Sequence, residues 1–193
     1  MENIIHIING CINKEPKYQR LLYDRYRGFA SKVVFRYIYR YEKAIDVVTD
    51  GFVKAFNHFD QFKKRKDDND EDVEKLLMGW LKRIMVNCSI DELRRSSMLP
   101  EIGGIPEDVW DITDRNYNAD QLLLYKDLVT LIKELPPNYR IVFNLYVLDG
   151  YAHAQIADML KISISTSRSS LSRARAFLQT LVKKMEEEKL CRI

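Results

Sequence analysis

The chain has 193 residues, 46% hydrophobic and 31% charged, a balance that can bury real cores and excludes an intrinsically disordered class. Its 31 Lys and Arg against 28 Asp and Glu leave a formal charge of +3, too even to imply nucleic-acid binding by itself. Only 7 Gly and 5 Pro favour long helices over a turn-rich β fold, so the expected class is all-α.

At the N-terminus, MENIIHIINGCIN carries neither a basic leader nor a continuous apolar core, and no segment reaches the roughly 18 apolar residues of a membrane span. A secretory signal and membrane insertion are therefore not expected. Cys11, Cys88 and Cys191 are scattered, with no C-x-x-C pair and no His at zinc spacing. They read as reduced thiols of a cytoplasmic protein that holds no metal and no cofactor.

Lys17 to Arg40 reads as one long amphipathic helix, with Leu21, Leu22, Tyr26, Phe29, Val33 and Tyr37 at three- and four-residue spacing. A second helix, Tyr41 to about Phe59, turns Ala44, Val48, Phe52, Ala55, Phe56 and Phe59 inward and leaves Asp46, Thr49, Asp50 and Lys54 on a polar side. The run KKRKDDNDED, Lys63 to Asp72, has no apolar residue and reads as a solvated loop. A third helix, about Val73 to Arg95, buries Leu77, Trp80, Leu81, Ile84, Cys88 and Leu93; its opposite stripe is Arg83, Asn87, Asp91, Arg94 and Arg95.

From Ser96 to about Tyr117 periodicity is lost. Pro100, Gly103, Gly104 and Pro106 punctuate the stretch, and Glu101, Glu107, Asp108, Asp111 and Asp114 make it acidic. Long structureless loops are unusual inside a compact domain, so the chain reads as two small helical domains, 1–97 and 118–193, joined by a flexible acidic linker at 98–117. Within that linker Val109, Trp110 and Ile112 are apolar enough to dock. The second domain opens with a helix from about Ala119 to Leu135, with Leu123, Leu124, Leu128, Leu131, Ile132 and Leu135 inward. Pro136 ends it and Pro137 suits the first position of the next helix, which buries Ile141, Val142, Leu145 and Tyr146 and stops at Asp149-Gly150.

Two helices follow, about Ala152 to Leu160 and from Ser163 or Ser165 past Leu178, separated by a short turn. Ile156, Ala157 and Leu160 before the turn and Ile162, Leu171 and Phe177 after it fit a helix-turn-helix between about Gly150 and Leu178. The second helix crowds Ser163, Ser165, Thr166, Ser167, Arg168, Ser169, Ser170, Ser172, Arg173 and Arg175 at its start. Apart from the arginines these are poor or moderate helix formers, an odd choice for a helix wanted only for stability, yet hydroxyls and arginines suit phosphates and base edges in the major groove.

In this order and at these separations the motifs resemble the extracytoplasmic-function (ECF) sigma factors, two-domain subunits that give bacterial RNA polymerase its promoter specificity. The sequence LPPNYRIVFNLYVLDGYAHAQIADMLKISISTSRSSLSRARAFL looks like their region four, which binds the minus-thirty-five element. WLKRIMVNCSIDELRR looks like the part that opens and reads the minus-ten element, and AIDVVTDGF like the helix that grips polymerase. The resemblance implies a minus-ten surface of Arg83, Asn87, Asp91, Arg94 and Arg95, with the loop Phe62 to Asp72 where the family captures a flipped-out base. Trp80 has core spacing as well, and Asp91 is equally placed to cap or to pair with Arg94 or Arg95.

Asp46, Thr49, Asp50 and Phe52 match the polymerase-contact helix, although the family usually has glutamine and glutamate where Thr49 and Asp50 stand. A solvated helix face is the alternative there. In region four, Lys161 sits where the turn commonly has glycine, and Ser167 and Ser170 replace a usual aliphatic and a usual basic residue. Ser165, Thr166, Arg168, Ser170 and Arg173 are expected to face DNA, and Leu171 and Ala174 the core. The implied partners are core RNA polymerase, promoter DNA and an anti-sigma factor, which in this family commonly clamps the two domains.

His6, His58 and His153 are isolated, and no phosphate-binding glycine loop or Ser-His-Asp spacing appears, so an enzyme is not expected. The alternative to a sigma factor is a helix-turn-helix regulator with an N-terminal sensor or dimerisation domain. A sensor would offer an enclosed apolar pocket rather than an exposed charged stripe.

Overall fold

The computed structural model describes residues 3–63, 69–95 and 128–190, which divide into two compact units, 3–95 and 128–190. Among these residues every regular element is helical, as the all-α expectation requires. The acidic linker, with Val109, Trp110 and Ile112, and the domain borders expected at its ends lie outside the described residues.

The first unit begins with a helix that the sequence pattern by itself does not announce. α1, Ile4–Ile12, starts on Asn3, whose side chain accepts the Ile5 N–H at 2.7 Å. Ile4, Ile7, Ile8 and Cys11 form its buried stripe at helical spacing. Nine residues are too few to hold a helix alone in water, so α1 depends on packing against its neighbours.

α2, Pro16–Val34, ends well before the expected Arg40. Beyond it Phe35, Tyr37, Ile38 and Tyr39 are all buried, which a straight helix with one solvated face could not achieve; the chain turns and encloses them together. α3, Tyr41–Asn57, buries Ala44, Val48, Phe52 and Ala55 as its period requires. Gly51 lies where α3 crosses α4, and a side chain there would overlap Met85.

A single 3-10 turn, Phe59–Gln61, leads to Phe62, whose ring centre lies 5.5 Å from that of Trp80; Phe59 lies 5.1 Å from Trp80 on the same cluster. Trp80 therefore takes its packing role. α4, Asp70–Arg95, starts three residues earlier than Val73. Asn69 accepts the Asp72 N–H at 2.9 Å, and Asp70, Glu71 and Asp72 sit in the first turn, where the helix dipole favours carboxylates. The acidic end of the charged run is thus a cap and a first turn, not open loop.

In the second unit residues 128–133 are helical, with Val129 and Ile132 buried and Leu128 turned outward rather than inward. Arg140 closes this helix by donating from Nη1 to the Lys133 carbonyl at 2.7 Å. α5, Pro137–Phe143, carries proline in its first turn and then widens into a π turn over Asn144–Leu148, where Asp149 donates to the Asn144 carbonyl at 2.9 Å. The wider turn shifts the helical register, and Tyr146, expected in the core, stays 36% exposed. Gly150, at φ +76°, ends the element in the left-handed region.

α6, His153–Leu160, and α7, Ile164–Leu190, make the helix-turn-helix, with Lys161 between them at φ +55°. A left-handed lysine is strained by its Cβ, and its ion pair with Asp158 is too exposed to offset that. Lys161→Gly should raise the stability of the second unit by about 0.5–1 kcal/mol, read as a higher urea midpoint in circular dichroism.

Candidate nucleic-acid interface

α7 starts on Ser163, whose Oγ accepts the Thr166 N–H at 3.0 Å and lies 2.8 Å from the hydroxyls of Ser165 and Thr166. From that cap the helix divides cleanly. Ser167, Ser170, Leu171 and Ala174, at helical spacing, face inward with 8% exposure or less. Ser165, Thr166, Arg168, Ser169, Ser172, Arg173 and Arg175 face outward. Leu171 and Ala174 stand in the core as their spacing predicts.

Ser170, expected to face DNA, is instead buried on the same stripe as Leu171 and Ala174 and does not face outward. A serine carries no apolar signal of its own, and one residue around the helix separates groove from core. Ser169 and Ser172 occupy the exposed positions beside it.

His153, which has no sequence neighbour to suggest a role, belongs to this surface. Its Nδ1 lies 2.9 Å from Ser167 Oγ, and its ring stacks on Tyr146 with centres 4.5 Å apart. This pair explains a serine where an aliphatic residue is usual: a polar bond joins α6 to α7 across their crossing. Burial first, then the charges of Arg168 and Arg175, holds the imidazole below its ordinary pKa, so the neutral ring is favoured. The Arg175 guanidinium lies 6.0 Å from the Tyr146 ring centre, and Arg173 Nη1 lies 3.4 Å from the Tyr139 hydroxyl.

The first unit presents two further surfaces. On α4, Arg83, Asn87, Arg94 and Arg95 are exposed along one stripe, and Asp91 is half-buried within it. Asp91 lies 3.6 Å from both Lys54 of α3 and Arg94, so the pairing that its spacing allowed is present. On α3, Asp46, Thr49 and Asp50 are exposed, and Thr49 donates its hydroxyl to the Ile45 carbonyl at 2.9 Å. Phe52 is not on that face. It is 2% exposed, with its ring centre 4.9 Å from that of Tyr23, so the core reading of its spacing holds and the contact reading does not. The apolar side chain that the face does offer is its neighbour Val53, 52% exposed. Of the loop expected to hold a flipped base, Phe62 is packed and residues 64–68 lie outside the described residues.

Among the described residues no group of His, Cys, Asp and Glu could hold a metal, and burial pushes the Cys11 thiol up to about 12. No described helix is long and apolar enough to cross a membrane.

Residues 22–98 match Sigma-70 region 2, and residues 125–178 match Sigma-70 region 4. The ECF RNA polymerase sigma-E factor of Escherichia coli K12 is 27% identical over 182 residues, which is 87% of this chain and 88% of that protein. The chain belongs to the extracytoplasmic-function sigma factors. Within this sigma factor, α1 and the end of α7 lie outside both matched regions, whereas the α4 stripe and the exposed start of α7 lie within them.

The sigma-E factor of Salmonella typhimurium LT2 is likewise 27% identical over 182 residues, with 87% and 88% coverage. The ECF sigma factor SigE of Mycolicibacterium smegmatis is 29% identical over 114 residues, 57% of this chain, and the match spans 44% of that relative's length. Among solved structures, RpoE in complex with the anti-sigma factor NepR from Bartonella quintana has a TM-score of 0.49 at 20% identity, covering 85% of this chain and 96% of that one. CnrH in complex with the cytosolic domain of CnrY has a TM-score of 0.46 at 20% identity, with 92% and 96% coverage.

Proposed function

We propose that this sigma factor acts in the cytoplasm as a detachable, non-enzymatic subunit that binds core RNA polymerase and directs it to promoters through three surfaces. The exposed face of α3, with Asp46, Thr49, Asp50 and Val53, holds polymerase. The α4 stripe of Arg83, Asn87, Arg94 and Arg95 engages the start-proximal, minus-ten element, and the start of α7, with Ser165, Thr166, Arg168 and Arg173, engages the upstream, minus-thirty-five element. An anti-sigma factor is the further partner class that the family brings.

The observation that carries the reading is the division of α7. Its inward positions hold Ser167, Ser170, Leu171 and Ala174, and this leaves hydroxyls and arginines together on the outer side of a helix-turn-helix. Short donors permit close approach to a groove, and arginine binds guanine or phosphate bidentately.

Mixing the protein with core polymerase and a promoter library tests it. Specific initiation should appear only with both proteins present, and binding should weaken as salt rises. Equally tight promoter recognition by the free protein would instead favour a self-sufficient helix-turn-helix regulator.

A further inference from the structure

Asp91 lies within the α4 stripe beside Arg94, and Glu92 lies at its edge beside Arg95, where DNA phosphates would repel an unpaired carboxylate. Glu92, with its side chain only 14% exposed, is the more enclosed. Its Oε1 lies 3.1 Å from Lys43 Nζ of α3, and its Oε2 lies 3.7 Å from Arg95 Nη1. Asp91 repeats the arrangement one residue earlier, with Lys54 Nζ 3.6 Å from Oδ2 and Arg94 Nη1 3.6 Å from Oδ1. Each carboxylate divides its two oxygens between a lysine of α3 and an arginine of α4.

Lys43 lies near the start of α3 and Lys54 near its end, so the two bridges tie the last turn of α4 to both ends of that helix. Partly exposed ion pairs add little to stability. They do restrict long, rotamer-rich side chains, which lowers the entropy lost when those side chains are ordered on a partner. A carboxylate paired on both sides also presents little net charge to a phosphate.

We infer that Asp91 and Glu92 are positioning residues for promoter opening: they hold Arg94 and Arg95 in place and, through Lys54 and Lys43, set the DNA-reading end of α4 in register with α3. The inference rests on the assignment of the α4 stripe to the start-proximal element. It replaces direct contact of Asp91 with DNA.

The test uses holoenzyme on a duplex that the wild-type holoenzyme selects from a library, with 2-aminopurine in the start-proximal element to report strand separation. Arg95→Ala should slow opening about tenfold, and Glu92→Gln and Lys43→Met about three- to tenfold each, while Lys43→Arg keeps the wild-type rate. Thermal midpoints should stay at the wild-type value. Adding Glu92→Gln to Arg95→Ala should slow opening further by less than Glu92→Gln does alone, because Glu92 acts in part through that arginine.

Additive losses, an unaltered rate in Glu92→Gln, or a fall in its thermal midpoint matching the lost rate would overturn the inference and leave the role of Arg95 intact. An unaltered rate in Arg95→Ala would overturn the assignment of the stripe and the inference with it.

Discussion

Replacing Arg168 or Arg173 by alanine should lower the affinity of the holoenzyme for its upstream promoter element by about 1–3 kcal/mol each, roughly 5- to 150-fold. Both side chains stand on the exposed side of α7 within the first three turns, where a recognition helix enters the major groove. If an arginine reads a base, its loss should relax sequence preference at one position; if it holds a phosphate, all sequences should weaken alike and the salt dependence should become shallower. Ser170→Ala supplies the contrast. Its side chain faces the core, so promoter affinity should be unaltered, whereas Ser170→Arg should disrupt the packing of the unit. Promoter binding measured by fluorescence anisotropy separates these outcomes, and unchanged affinity in both arginine variants would move the reading face elsewhere.

Phe52→Ala should remove about 3–5 kcal/mol of stability from the first unit, a large part of what a small domain has. The ring is enclosed against Tyr23 and Phe56, and its loss leaves a cavity that α2 and α3 cannot close. Charge reversal of Asp46 and Asp50 to lysine should do the opposite. Both carboxylates are exposed, so the thermal midpoint should hold while binding to core polymerase falls. A denaturation curve beside a polymerase pull-down distinguishes the two. Loss of polymerase binding by a fully folded Phe52→Ala protein would return that ring to the contact surface.

Much of the fold was legible because its signals are local. Pro137 at a helix start, Gly150 at an end and the apolar period of α3 and α4 each state a backbone preference or a buried face in a few residues. The start of α7 was legible for the same reason, since Leu171 and Ala174 mark the inner stripe and the arginines the outer one. What escaped was set by neighbours distant in sequence. Four inward residues in α1 make a helix only because the rest of the first unit receives them. The end of α2 is decided by the need to bury Phe35, Tyr37, Ile38 and Tyr39 at once.

The candidate sites divide along the same line. Sequence alone determined the helical class, the helix-turn-helix and the stripes that carry Arg83, Asn87, Arg168 and Arg173, because these follow from spacing and residue chemistry; the sigma-factor motifs were legible by their resemblance to a known family. Tertiary structure alone decided that Ser170 and Phe52 point inward, that His153 bonds Ser167, and that Asp91 and Glu92 lie between lysines of one helix and arginines of the next. Spacing tells which residues share a face; the angle at which helices cross decides which part of that face meets solvent and which meets another helix.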